Sequence, residues 1–163
     1  MTNLELQILN TLKSNARIDI KDLAVMLNIT PVECSNIIND LEKREIICGY
    51  NTLINYDNTD NEIVTALIEV KVTPQKELGY DAIAERIYSF KEVDSIYLMS
   101  GAYDFMVLID GKSMKEVSRF VFEKLSTLDM VLSTSTHFIL KKYKDHGVKI
   151  VKDKKSSRIM VSA

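Results

Sequence analysis

Cysteine and histidine are scarce: Cys34, Cys48, His137 and His146 are the only four among 163 residues. The cysteines form no CxxC pair and the histidines stand far from them in sequence, which excludes a structural zinc site of ordinary spacing. Two buried thiols in a reducing compartment are expected instead. Long apolar runs are missing as well. No stretch approaches the ~18 apolar residues of a membrane span, and the opening MTNLELQILNTLKSNARI lacks a cationic start followed by an unbroken apolar run. The expectation is a cytoplasmic protein with no membrane partner. No Ser-His-Asp set, paired carboxylates, phosphate-binding glycine loop or metal-ligand spacing is present. No catalytic residue, metal or cofactor is therefore assigned, and an enzyme is not expected.

What is present is a composition of 46% apolar and 27% charged residues, enough to bury a core in one ordinary domain or two small ones. Charge is unevenly placed. Residues 1–55 carry five Lys/Arg against seven Asp/Glu, residues 56–140 eight against fourteen, and residues 141–163 eight against two, within a net charge of −2. A short basic tail on an acidic body suits attraction to nucleic acid, or is simply a solvated end.

Three helices are predicted in the first 50 residues. Thr2-Asn3-Leu4-Glu5 fits a capping box, and Leu4, Ile8, Leu9 and Leu12 recur at helical spacing, giving a helix to about Ser14. Asp19 can cap a second helix to about Leu27, with Ile20, Leu23, Ala24 and Leu27 facing inward and Asn28 as a left-handed C-cap. Thr30 then caps a third helix, with Pro31 at its first position and Glu33 closing a second capping box. So short a turn between the second and third helices is the helix-turn-helix arrangement, which offers its last helix to the major groove of DNA. Cys34, Ile37, Ile38 and Leu41 fall on the core side of that helix, leaving Glu33, Asn36, Asn39, Asp40 and Lys43 outside. EIICGYNTLINY then leaves it as a strand or wing. The geometry is that of a DNA reader, but the face lacks the Lys and Arg that neutralise phosphates.

From residue 62 the pattern becomes two strand-helix-strand units. NEIVTALIEVKV nearly alternates and is rich in β-branched residues, while YDAIAERIYSF places Ile83, Ile87 and Phe90 at helical spacing. DSIYLMS and YDFMVLI read as strands joined by a tight turn at Gly101. SMKEVSRFVFEKL is an amphipathic helix capped by Ser113, with Val117, Phe120, Val121 and Leu125 inward, and VLSTSTHFILKKYK alternates into a last strand. The order β-α-β-β-α-β is the ferredoxin-like arrangement, an antiparallel sheet with both helices on one face. Its other face is left open and is expected to be closed by a second copy, so a homodimer is the minimum assembly.

A winged helix-turn-helix joined to a ferredoxin-like module resembles the Lrp/AsnC family of amino-acid-responsive transcription regulators. The likeness spans about residues 3 to 144. It rests on LELQILNTLKSNARIDIKDLAVMLNIT with its Arg17 turn, on INDLEKREIICGY, and on LMSGAYDFMVLI, where the family has Gly-x-x-Asp. The resemblance implies an α+β fold: a winged helix-turn-helix over 1–55, a ferredoxin-like βαββαβ (RAM-type) domain over 56–145 and a basic tail over 146–163. It also implies double-stranded DNA as a partner, a homodimer or a ring of dimers such as an octamer, and an amino-acid effector bound between dimers. Gly101 and Asp104 match the family's effector turn. Glycine admits close approach of a ligand, and a carboxylate can hold an α-ammonium group. The alternative is that Gly101 only turns the chain and Asp104 only caps its amides. Leu98, Met114, His137, Phe138 and Ile139 align with positions the family uses around that pocket or its response.

The third helix departs from the family pattern. Arginines of the family correspond here to Asn36, Ile37, Asn39 and Asp40, and the glycine of the following turn is replaced by Glu45. Asn36 and Asn39 can read adenine edges, with phosphate contacts from Arg17, Lys21, Lys43, Arg44 and the tail; Thr30 and Ser35 complete the candidate DNA contacts. A higher oligomer can compensate for weak single modules. The remaining alternative is an effector- or partner-binding protein of the same fold that has lost DNA binding. Lrp-like decarboxylases of haem synthesis carry a His-x-Tyr-Asn type stretch where this chain has SGAYDF, and that histidine is absent here.

Overall fold

The computed structural model describes residues 1–73 and 79–150 of the chain. Thr2 opens α1 (Asn3–Ser14) through the full reciprocal capping box with Glu5, and Asp19 caps α2 (Ile20–Leu27) by accepting the Lys21 amide. Asn28 ends α2 in the left-handed region at φ 55° and ψ 43°, which lets its amide and that of Ile29 turn back onto the Ala24 carbonyl. Thr30 caps α3 (Pro31–Lys43) by accepting the Glu33 amide. Among the described residues the reciprocal bond from the Thr30 amide to Glu33 is not formed, so this second cap is half of the box predicted. Ile8, Leu23, Ala24, Cys34 and Leu41 form the fully buried centre of this unit, with Ile37 and Ile38 packed against it. Ile20 is an exception to the predicted inner face. As the first residue of α2 it lies past the edge of the core and is exposed.

Two further expectations change here. Burial raises the Cys34 thiol's pKa, but Cys48 is exposed. The segment after α3 forms no strand over 45–55, because none of the described residues offers it a neighbour to pair with. It is held by side chains instead: the Tyr50 hydroxyl donates to Glu42 at 2.8 Å, and the Cys48 thiol donates to the Glu45 carbonyl at 3.1 Å.

The chain divides into two compact units between Leu53 and Ile54. The second begins with a 3-10 turn (Tyr56–Asn58), then β1 (Val64–Val72), α4 (Tyr80–Tyr88), β2 (Val93–Leu98) and β3 (Phe105–Gly111). It continues with α5 (Met114–Phe120), which passes into a π-helical turn over Val121–Leu125, and β4 (Val131–Phe138). The four strands make one antiparallel sheet in the order β2-β3-β1-β4, the ferredoxin-like topology. Alternation decides the faces. Ala66, Ile68, Val70, Phe105, Val107 and Ile109 are buried with Ile83, Ile87 and Val117 of the two helices. The register puts Leu67, Glu69, Met106, Leu108, Ser135 and His137 on the opposite face, which carries no helix among the described residues of this unit.

Beyond β4 the chain makes a small hairpin of β5 (Lys144–Asp145) and β6 (Val148–Lys149). Its two central residues, His146 at φ 42° and Gly147 at φ 85°, both occupy positive φ, as a tight hairpin turn requires. The predicted tail therefore begins with ordered structure, its Ile150 carbonyl accepting the Asn55 amide at 3.2 Å. The rest of that tail, 151–163, lies outside the described residues.

Candidate functional site: the DNA-reading helix and the effector turn

On α3, successive residues advance by about 100°. Cys34 and Leu41 point to the core, and the line directly opposite runs through Val32, Asn36, Asn39 and Lys43, at i, i+4, i+7 and i+11. All four are exposed, Val32 by 71%. The acidic residues sit to either side of that line and are largely engaged. Asp40 accepts from Arg44 Nη1 at 2.8 Å, and Glu42 accepts from Tyr50. Glu33 is exposed beside Val32. The face that reads as acidic in the sequence thus carries no acidic residue along its centre.

Arg44 is anchored through one nitrogen, Nη1. Its Nη1 also donates to Glu5 Oε1 at 2.6 Å, tying the end of α3 to the start of α1. The buried Glu5 carboxylate lies below its usual pKa range because it accepts the Thr2 amide and faces the Arg44 guanidinium. Of the other candidate contacts, Arg17 and Lys21 are exposed in the turn before α2 and in its first turn. Thr30 is exposed with its hydroxyl engaged as a cap, whereas Ser35 is half-buried and off the outward line. Val32 was not among the residues singled out from sequence. The signal was available in its i, i+4, i+7 relation to Asn36 and Asn39.

The effector candidates fall into two groups. Leu98, Gly101 and Asp104 lie at the β2–β3 connection, which is longer than the tight turn expected and is closed by the Met99 amide on the Asp104 carbonyl at 2.8 Å. Asp104 is embedded in the fold. Its Oδ2 accepts the Val72 amide at 2.9 Å where the β1–β3 ladder ends, and its Oδ1 accepts the Tyr80 hydroxyl at 3.3 Å. Burial, then the Asp104 charge, pushes the Tyr80 phenol's pKa up. Gly101 differs. Its φ is outside the positive region, and a Cβ built on it meets no atom within 4 Å. Among the described residues, nothing requires glycine there.

The second group lies towards the other end of the sheet. Met114 opens α5 just after β3, separated from Asp104 by the full length of that strand, roughly 20 Å for its seven extended residues, and by Lys112 and Ser113. His137 pairs with Leu67 on the open face, its Nε2 at 3.4 Å from Glu69 Oε1 and 3.3 Å from Ser135 Oγ. Phe138 points the opposite way and packs against the core under the helices, and Ile139 follows at the sheet margin. A single chain does not bring the two groups together.

Comparison with known proteins bears directly on these two units. Residues 65–148 match the family described as Lrp/AsnC ligand binding domain, and residues 1–47 match a winged helix-turn-helix DNA-binding domain. The chain belongs to the Lrp/AsnC family. Among its relatives, the HTH-type transcriptional regulator YugG of Bacillus subtilis is 50% identical over 163 residues, 99% of this chain and 98% of the relative. The leucine-responsive regulatory protein of Haemophilus influenzae is 24% identical over 149 residues, 91% of this chain and 89% of that protein. Among solved structures, a transcriptional regulator of Neisseria meningitidis in complex with L-Met has a TM-score of 0.71 at 23% identity, covering 89% of this chain and 93% of that one. The leucine response regulatory protein of Mycobacterium tuberculosis has a TM-score of 0.75 at 18% identity, covering 93% and 100%. As an Lrp/AsnC protein with both domains present, this chain is a DNA-binding transcriptional regulator. No helix among its described residues is long and apolar enough to cross a membrane.

Proposed function

We propose that this Lrp/AsnC regulator binds DNA as a dimer or a ring of dimers and changes its assembly, and with it its DNA affinity, when a free amino acid binds beside Gly101 and Asp104. The observation that carries this reading is Gly101, a glycine demanded neither by backbone conformation nor by packing among the described residues, at the turn that also holds Asp104. Close approach of something outside the chain gives it a role. The fixed Asp104 carboxylate supports an α-ammonium group as that ligand's anchor, since each oxygen keeps acceptor capacity beyond its one bond. The L-Met complex of the Neisseria regulator supports an amino acid as the ligand class. The coupling follows because a ligand shared between chains favours whichever assembly it fits better.

The test is fluorescence anisotropy of the full-length protein on its own upstream DNA, at several salt concentrations, with and without the twenty amino acids. Tight binding with a steep salt slope and a shift on adding one amino acid is expected. Asp104→Asn keeps an oxygen for the Val72 amide but removes the charge, so it should bind DNA normally and lose the amino-acid response. An unchanged response in that variant would leave Asp104 as a fold residue only. Absence of DNA binding at low salt would favour a protein that binds effector or partner alone.

A further inference from the structure

We propose that Val32 is a specificity residue of this regulator, reading the C5 methyl of thymine in the major groove beside adenines read by Asn36 and Asn39. The proposal rests on α3 being the DNA-reading helix and goes beyond it by assigning the bases. Three observations converge. The first is the line itself: Val32, Asn36 and Asn39 are collinear on the side of α3 opposite Cys34 and Leu41, and all are exposed. From Val32 to Asn39 the helix rises about 10 Å, the length of roughly three base pairs.

The second is what the line lacks. Guanine presents two acceptors in the major groove and is read by paired donors of Arg or Lys. Here Arg44 is held by Glu5 and Asp40, and the only cation on the line, Lys43, lies at the far C-terminal end of α3. The third is what the line offers. A carboxamide can give and take one hydrogen bond at once, which matches the N6 donor and N7 acceptor of adenine. An exposed branched alkyl group has one apolar feature to meet in the groove, the thymine methyl. Val32 stands at the second position of α3, where a recognition helix enters the groove. At 71% exposure most of its isopropyl group is available to a partner.

The experiment uses the full-length protein and duplexes recovered from a random pool by binding to it. Each contacted A·T pair of a recovered duplex is replaced by G·C, and each thymine by deoxyuridine, which removes only the methyl group. The wild type should lose about fourfold in affinity for the deoxyuridine at one position and about tenfold for G·C at the Asn-read positions. Val32→Ser, with an unchanged thermal melt, should bind thymine and deoxyuridine duplexes equally while keeping the A·T over G·C preference, because it removes the apolar surface that an alanine would partly keep. Asn36→Ala should lose the A·T preference at its own position alone and keep the thymine-to-deoxyuridine ratio. A thymine-to-deoxyuridine ratio that survives in Val32→Ser would overturn the proposal, as would recovered duplexes with G·C at the contacted positions. An A·T preference insensitive to both variants would reflect groove shape rather than this line and would also overturn it. Failure to recover any duplex at low salt would overturn the DNA-reading role of α3 itself, and this proposal with it.

Discussion

Glu45 has φ 56° in the turn that ends α3, where the Ile46 and Ile47 amides return to the Leu41 carbonyl. A side chain in the left-handed region is strained, and a carboxylate at a helix C-terminus opposes the helix dipole. Glu45→Gly should therefore raise stability by about 0.5–1 kcal/mol, the strain relief exceeding the extra freedom of the unfolded chain; paired urea melts would measure it. A second single-residue effect belongs to Glu5. Its folded pKa lies below the usual 4.5, first through the Thr2 amide and then through Arg44. The stabilisation is thus fully present above that usual value and is lost as pH falls through the depressed folded one. Melting temperature should drop steeply in acid for the wild type and less steeply for Glu5→Gln. Parallel acid profiles of the two proteins would show that Glu5 does not carry this linkage.

Among the elements, α3 is where sequence and structure inform each other most. Its start was legible because Thr30 and Pro31 are strong cap and first-turn residues, and its core side because Cys34, Ile37, Ile38 and Leu41 share one face. Its charge was not legible. Whether Asp40 and Arg44 face solvent or each other depends on Glu5, 39 residues away in sequence from Arg44. The four-stranded sheet was readable from alternation, whereas a strand after α3 was not to be had from loose alternation, because a strand needs a neighbour that sequence periodicity does not supply. The β5–β6 hairpin was missed although His146-Gly147 stands between KKYKD and VKI, a two-residue turn signal between short runs. In the proposed effector region, Gly101 and Asp104 were singled out by motif, while His137 and Phe138, adjacent on one strand, were grouped together although alternation turns them to opposite faces. The ion pairs of α3 lead to a prediction for the whole element. Asp40→Asn removes a negative charge beside the reading line and loosens Arg44, so DNA affinity at low salt should rise several-fold and the salt slope steepen. Equal affinity of the two proteins across a salt series would mean Asp40 lies away from the duplex.

For the molecule as a whole, the decisive feature is the sheet face that no helix among the described residues of its own unit covers. Leu67 and Leu108 are half-buried on it, Tyr97 is 47% exposed beside them, and His137 lies alongside Leu67. The proposed second copy would bury this apolar strip. The same copy would multiply the number of α3 helices offered to DNA, which matters for a helix with so few free cations. Leu108→Lys places an ammonium group in the middle of that strip without touching the core, because Val107 and Ile109 on either side point to the helices. The expected outcome is a folded protein whose sedimentation shifts from dimer to monomer. Its salt slope for DNA should fall to about half, since each chain brings one set of phosphate contacts. The amino-acid response should vanish as well, because a ligand can shift an equilibrium only between assemblies that both exist. A Leu108→Lys protein that sediments as the wild type does would place the dimer contact elsewhere and leave the open face without its proposed role.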